Sequence, residues 1–351
     1  MYAKTRSRRI SHQRAAFSLI ELVIVITIVI VLMGFLLVGV NGARRRARVV
    51  QCSVEISNLD KAIADFKSLY GVEPPSFVIL YEQGEGSSAA QHWGDDPTNG
   101  NQYRLISRAA VRSIWPRFNF AQNNDINMDG DADDVLILNG AECLAFFLGG
   151  TDDPAAAGWQ ATGFAANPQS PFAPVSYDYV PAMSQPAGTP AAVTNRRGPF
   201  FEGFDSSRFV DLDPTAQGGP DGMPEYLDSI PDQQLPLQYF SSYGGTGYRP
   251  RGLDKSAGNF DDESSVPGFV SHYIVANNAG SGADPTPTSA STSYNQSSHQ
   301  IISPGFDFEF GSGGVYNGSN LPSTPESYFA GPREVVAERD NITNFKGGTL
   351  N

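Results

Sequence analysis

Between positions 125 and 134 the chain reads Asp-Ile-Asn-Met-Asp-Gly-Asp-Ala-Asp-Asp, with an oxygen-bearing side chain at every second position. Asp125, Asn127, Asp129, Asp131 and Asp133 are hard oxygen donors, and Gly130 permits the sharp bend that turns alternate side chains inward. The spacing fits the first nine positions of a D-x-[DN]-x-[DN]-G calcium loop. Position twelve is Leu136, where such loops carry a bidentate glutamate, so Asp133, Asp134 or Glu142 would have to replace it. The competing reading is an acidic, solvated turn. A second acidic group, Asp211, Asp213, Asp221, Glu225 and Asp228, lacks regular ligand spacing and reads as a turn-rich surface loop or a weaker calcium candidate.

Other chemistry finds little support. His12, His92, His272 and His299 are scattered, and the chain contains no G-x-S-x-G, H-E-x-x-H or phosphate loop, so no enzyme activity is expected. Trp93, Trp115 and Trp159 read as core and surface aromatics. The formal net charge is −13; setting aside the five basic residues of positions 1–16 (Lys4, Arg6, Arg8, Arg9, Arg14) leaves −18 for the remainder. So acidic a chain is a poor partner for nucleic acid, since binding phosphates requires Lys and Arg. It suits a soluble ectodomain that takes up calcium. Cys52 and Cys143 allow one disulfide or two core thiols, but no disulfide framework.

These residues must be carried by something, and one element is plain. Phe17–Val40 is 24 residues with a single charge, Glu21. As a helix it is roughly 36 Å long, enough to cross a hydrocarbon core of about 30 Å. It is too long for a secretory signal peptide, and the sequence after it is a poor cleavage site. Basic residues flank it on both sides, Arg44, Arg45, Arg46 and Arg48 following it, so charge alone leaves its orientation open. A plain membrane anchor is one reading. Glu21 supports another, because a carboxylate in a membrane helix costs roughly 2.5–3.5 kcal/mol if central and needs a cationic partner.

Ala16-Phe17-Ser18-Leu19-Ile20-Glu21, after a short basic leader and before a long apolar helix, resembles the prepilin processing site of type IV pilins and type II secretion pseudopilins. The resemblance implies that a prepilin peptidase cuts between Ala16 and Phe17 on the cytoplasmic side and N-methylates Phe17. It further implies a bacterial inner-membrane, single-pass protein whose C-terminal domain is periplasmic, or extracellular in a filament. Its partners would be the peptidase, an inner-membrane assembly platform and other pilin or pseudopilin subunits. Glu21 would pair with the Phe17 amine of a neighbouring subunit and set its axial register. Ala16 departs from the family, which usually has Gly there.

Val49, Cys52, Ile56, Leu59, Ile63, Phe66 and Tyr70 continue at spacings of three and four, one apolar stripe on an amphipathic helix that stops at Gly71 before Pro74 and Pro75. The expected organisation is a leader (1–16), a transmembrane helix (17–40), an amphipathic helix (41–72) and a globular domain (73–351). Beyond the helix, Leu105–Trp115 and Val135–Leu148 read as partly helical. Ser176–Val180, Leu237–Tyr243, Phe269–Val275, Gln300–Ser303 and Phe306–Phe310 read as short strands, with loop-rich insertions at 149–200 and 278–299. The fold class is therefore α+β, a long N-terminal helix packed on an antiparallel sheet with large loop insertions, and the resemblance implies the same, pilin-like arrangement. Near the C-terminus, the segments 300–307 and 339–345 are similar to the end of the major pseudopilin domain, which implies calcium held by Asp307 and Asp340. Phe308 stands where the family has Gly, and Asn341 where it has a second acid. The function implied is a structural subunit of a secretion pseudopilus or pilus-like filament; the alternative is a surface pilin whose enlarged domain binds an external ligand or surface.

Overall fold

Ser18 opens the long helix α1 (Leu19–Tyr70): its hydroxyl accepts the Glu21 N–H at 3.2 Å and its carbonyl accepts the Leu22 N–H at 3.2 Å. Ser18 is thus an N-cap, and Glu21 sits in the first turn, where the helix dipole favours an acid. The structure, a computed structural model, describes residues 18–87, 92–94, 102–153, 156, 158–176, 188–212, 221–248, 272–275, 292–311, 313–316 and 335–350. Ala16, Phe17 and the leader lie outside these, as do 177–180 and most of the 278–299 insertion. The chain divides into two units, Met1–Ala47 and Arg48–Asn351.

In the first unit α1 is the single helix among the described residues long and apolar enough to cross a membrane, and none of its most apolar 18-residue window is buried. Leu19 and Phe35 are 81% and 76% exposed. Thr27, the polar residue in mid-segment, returns its hydroxyl to the Val23 carbonyl at 2.8 Å and so leaves no unpaired donor.

In the second unit the same helix behaves differently. Cys52, Ile56, Leu59, Ile63 and Phe66 are buried in the main core, and Val49 and Tyr70 pack at its ends, so the expected stripe is the face that is covered. Against it lies α3 (Gly140–Gly149), all ten residues buried. Phe66 meets Phe147 edge-on at 5.9 Å and Phe200 at 5.2 Å. Each such side chain contributes about 1.5–3 kcal/mol by burial.

The remaining elements are β1 (Val78–Tyr81), α2 (Gln102–Ile114), β2 (Val135–Leu138), β3 (Phe164–Ala165), β4 (Arg196–Arg197), β5 (Phe209–Val210), β6 (Glu225–Tyr226), β7 (Gln238–Ser241), β8 (Tyr273–Val275), β9 (Thr292–Ser293), β10 (His299–Ser303), β11 (Gly314–Tyr316), α4 (Val335–Glu338), β12 (Ile342–Thr343) and β13 (Gly348–Thr349). They form an antiparallel sheet in the order β13-β12-β10-β7, a three-stranded sheet β11-β8-β9, and the ribbons β1–β2, β3–β4 and β5–β6. The class is α+β, but the expected sheet is divided into small pieces, and β8 runs parallel to β11.

Residues 135–148 are partly helical, as expected: a strand comes first, and Asn139 and Glu142 then form a capping box that starts α3. Other expectations are corrected. Phe306–Phe310 is not a strand; it follows a turn at Gly305, whose φ of 74° favours glycine. Ser176 lies in no strand. Part of the 149–200 insertion is built around one cation. The half-buried Arg196 guanidinium donates to the carbonyls of Thr162 (3.0 Å), Gly163 (2.7 Å) and Ala173 (2.7 Å) and to the Thr151 hydroxyl. Burial lowers its pKa to about 10. Cys52 and Cys143 are reduced thiols, not a disulfide: the Cys143 thiol donates to the Leu138 carbonyl at 3.8 Å, and burial pushes the Cys52 thiol well up, with Ser303 beside it.

A polar clamp fastens the helix to the sheet. His299 on β10 places Nε2 2.9 Å from Asp60 on α1 and Nδ1 3.7 Å from Glu73, while Lys67 pairs with Glu73 at 3.0 Å. Asn344, between β12 and β13, donates to the same Asp60 oxygen at 3.0 Å. Burial pulls the His299 imidazole down, but hydrogen bonds and charge from Asp60 and Glu73 outweigh it, and its pKa is raised above 6.5. Burial likewise pushes Glu73 up, and His299 and Lys67 reverse it to a net lowering. A raised histidine stabilises fully below its unfolded pKa and loses that stabilisation as pH rises through the folded value. The melting-temperature gap between wild type and His299→Gln should therefore narrow as pH rises past about 6.5. A gap that stays constant from about pH 5 to 9 would mean that packing alone holds the ring.

Candidate functional site

The acidic loop is positioned by a strand pair. Val78–Tyr81 is a fully buried run of β-branched, aliphatic and aromatic residues set between Pro75 and Gly84, and it pairs antiparallel with β2 in the register Tyr81↔Val135. The next step of that register sets Glu82 against Asp134, and the Glu82 N–H donates to the Asp134 carbonyl at 3.1 Å. Glu82 is fully buried. Its Oε1 accepts the Ile126 N–H at 2.6 Å and its Oε2 the Asp134 N–H at 3.2 Å. Burial drives its pKa up to about 9 in spite of those bonds, with the carboxylates of Asp125 and Asp134 adding to the rise.

Above Glu82 the loop turns on its own side chains. Asn127, Asp129 and Asp131 each accept the backbone N–H two residues on, at 3.2, 3.1 and 3.3 Å. Gly130 has φ 102°, the bend that its place in the motif predicts. Asn127 Nδ2 donates to Asp134 Oδ2 at 3.1 Å and to the Asp221 carbonyl at 3.0 Å, so part of the second acidic segment is brought against the first. Of the others, Asp213 lies outside the described residues, Asp211 accepts the Gly222 N–H at 3.1 Å and Glu225 the Leu212 N–H at 3.0 Å, while Asp228 is buried apart between Ser303, Gln233 and the Ile230 N–H, and burial raises its pKa to about 6.

Glu82, Asp131 and Asp134 offer carboxylate oxygens that all lie within 4.8 Å of one another, the one such group of three among the described residues. Two oxygens bound to the same Ca²⁺ at about 2.4 Å can be no more than about 4.8 Å apart. The donors are all oxygen, which suits a hard cation. Asp131 is raised by its hydrogen bond to Asp133 and then by burial, and Asp134 by burial and by the charges of Asp129 and Asp131. The raised pKa values mean that the fold disfavours ionised carboxylates here, so a bound cation would take the place of a proton.

The structure revises the ligand set. Asp125 is buried beside Glu82, and Asp129 and Asp133 are exposed outside the group of three. Glu142 caps α3 by accepting the Asn139 N–H at 2.6 Å and is not at the loop. Glu82 was not foreseen; the signal was the apolar run 77–81 ending in an acid, which becomes informative once its pairing with 135–138 is known.

Asp307 and Asp340 do meet. Burial raises Asp307 to about 6, and Asp340 alongside adds to the rise. Asp340 accepts the Phe306 N–H at 2.8 Å. Phe308 has φ 60°, so a phenylalanine occupies the backbone conformation that glycine adopts freely. Asn341 turns away into the core, donating to Tyr273 OH at 2.9 Å and the Phe310 carbonyl at 2.7 Å. Two acids converge there, with the charge of Glu309 also acting on Asp307 and Asn341 directed elsewhere. Of the histidines, His272 is buried against Tyr248 and burial lowers it to about 3, while His92 Nδ1 accepts the Gly94 N–H at 2.9 Å.

No family model, curated protein or solved structure matches the chain.

The raised Glu82 carboxyl gives the loop a pH signature. The folded protein holds a proton that the unfolded chain has lost, so without a divalent cation stability declines as pH rises from about 4.5 toward about 9. In chelator the melting temperature should fall across that range, and Glu82→Gln should flatten the fall. Calcium at a hundredfold excess over its Kd should add about 2.7 kcal/mol at neutral pH, and Glu82→Gln should abolish that gain. A wild type indifferent to millimolar calcium would remove the metal from the loop.

Proposed function

We propose that the chain is a structural subunit of a membrane-anchored filament, of the kind built by type IV pilins and type II secretion pseudopilins. The leader is cut between Ala16 and Phe17 on the cytoplasmic side, the helix spans the inner membrane, and the acidic domain lies outside it. The observation that carries this reading is the double character of α1: an exposed apolar segment 19–36, followed by a stripe from Cys52 to Phe66 buried in a domain. A helix built this way can leave lipid and pack against copies of itself while its domain stays folded. The Ala16-Phe17 pattern and the placement of Glu21 add to it.

The N-terminal geometry supports the role of Glu21. Ser18 already caps the backbone there, so the carboxylate is not needed for that task. Cleavage creates an amine on Phe17, and pairing it with Glu21 of a neighbouring copy satisfies both charges in a medium where neither is tolerated alone. Calcium in the loop formed by Asp131, Asp134 and Glu82 is part of the same proposal, as a clip on the domain.

Mass spectrometry of the membrane-embedded protein should find methylated Phe17 at the N-terminus; an intact Met1 would refute the processing. Glu21→Ala should insert into the membrane at wild-type level and enter filaments poorly, whereas normal incorporation would exclude a register role.

A further inference from the structure

We infer that the arginine face of α2, with Arg112 on the helix and Arg117 just beyond it, docks on the acidic loop of a second copy of this chain at Asp129 and Asp133, an inference that rests on the filament reading above for what brings copies side by side. Positions 97–124 contain Arg104, Arg108, Arg112 and Arg117 and neither Lys, Asp nor Glu, in a chain of net charge −13. A cationic stretch in so acidic a chain attracts acids.

Three of these arginines follow one another at four-residue steps on α2. Each step turns the side chain by about 40°, so the row passes from the interior to solvent. Arg104 is buried and donates to the Gly94 carbonyl at 2.7 Å. Arg108 is half-buried, donates to the Trp93 carbonyl at 2.7 Å and pairs with Glu85. Arg112 is exposed, with its guanidinium 5.3 Å from the centre of the buried Phe120 ring. Stacking of that kind holds the group in place and leaves its N–H edge to a carboxylate. Arg117 is exposed in the turn after the helix. Leu105, 58% exposed, and Ala109 lie on the same exposed strip as Arg112 and give the face apolar area.

The acids have no cation either. Asp129 and Asp133 are exposed and stand outside the group formed by Glu82, Asp131 and Asp134, so an ion held by that group leaves both facing solvent. Among the described residues no ion pair involves Arg112, Arg117, Asp129 or Asp133. Two complementary patches that the fold leaves unpaired are both satisfied when the face of one copy meets the loop of the next. Such a contact is heterologous: each docked copy keeps one half free for a further neighbour, so the contact repeats along a row. Single exposed pairs are weak, but copies anchored in one membrane meet at high local concentration.

The test measures energy transfer between copies purified from membranes, carrying donor or acceptor dyes at the C-terminus and placed in phosphatidylcholine vesicles with chelator. R112Q/R117Q removes the cations. D129N/D133N removes the acids and keeps the turn, since Asn127 makes the same backbone bond in this loop. Each variant paired with itself should associate about fivefold more weakly than wild type, and about 0.5 M NaCl should weaken the wild type alike. R112Q/R117Q mixed with D129N/D133N should recover transfer, because each supplies the half that the other lacks. The variant with all four changes should lose no more than either pair alone. Transfer that ignores both variants would overturn the contact; if Glu21→Ala then abolishes it, the filament reading stands without it. Losses that multiply in the combined variant, or a mixture that recovers nothing, would also overturn the contact. Absence of transfer in the wild type at every protein density would overturn the contact and the filament reading together.

Discussion

The burial of one stripe of α1, from Cys52 to Phe66, is the contact on which the unit 48–351 depends. Among its described residues no strand exceeds five residues, and three of the five sheets are two-stranded ribbons. Ribbons of that size are marginal by themselves and need a packed face to persist. The α3 helix is buried on all sides, which a helix tolerates only inside a core. Helix α1 covers one side of it, with β6 and β7 packed against it as well. Remove the stripe and neither α3 nor the small sheets keep enough apolar contact to hold their shape.

Polar groups finish what the stripe begins. His299, Asp60, Glu73, Lys67 and Asn344 tie the end of α1 to the sheet. Glu55, also on α1, pairs with Arg208 at 2.5 Å, and Arg208 lies 4.6 Å over the ring of Tyr226. These partners come from segments far apart in the chain. Buried pairs of this kind add modest net stability but penalise misplacement heavily, since a partner left alone in the core keeps its desolvation cost. They specify how the helix seats, where the apolar stripe supplies most of the driving force.

The same helix changes character at the arginines. Before them nearly every residue is apolar and exposed; after them apolar residues recur at three and four and face inward. Arg44 to Arg48 mark that change with charges that neither lipid tails nor a core accepts. The acidic domain beyond it gathers carboxylates in the loop before β2 and at Asp307 and Asp340, and burial, hydrogen bonding and neighbouring charge raise the pKa values of Glu82, Asp131, Asp134 and Asp307.

What the amino-acid sequence determined by itself is local. The apolar run, the spacing of Cys52, Ile56, Leu59, Ile63 and Phe66, the stop at Gly71 and the bend at Gly130 all follow from helix period and backbone sterics acting over a few residues. What only the tertiary structure decided is pairing across distance. Glu82 joins Asp131 and Asp134 because β1 and β2 pair in one register, and a slip of one residue would turn Glu82 to the other face. Glu142, equally acidic and nearer in sequence, is taken by the start of α3. His299 reaches Asp60 across 239 positions, and Cys52 and Cys143 enter one core as separate thiols. Such choices rest on which segments meet, and no periodicity within a segment carries that information.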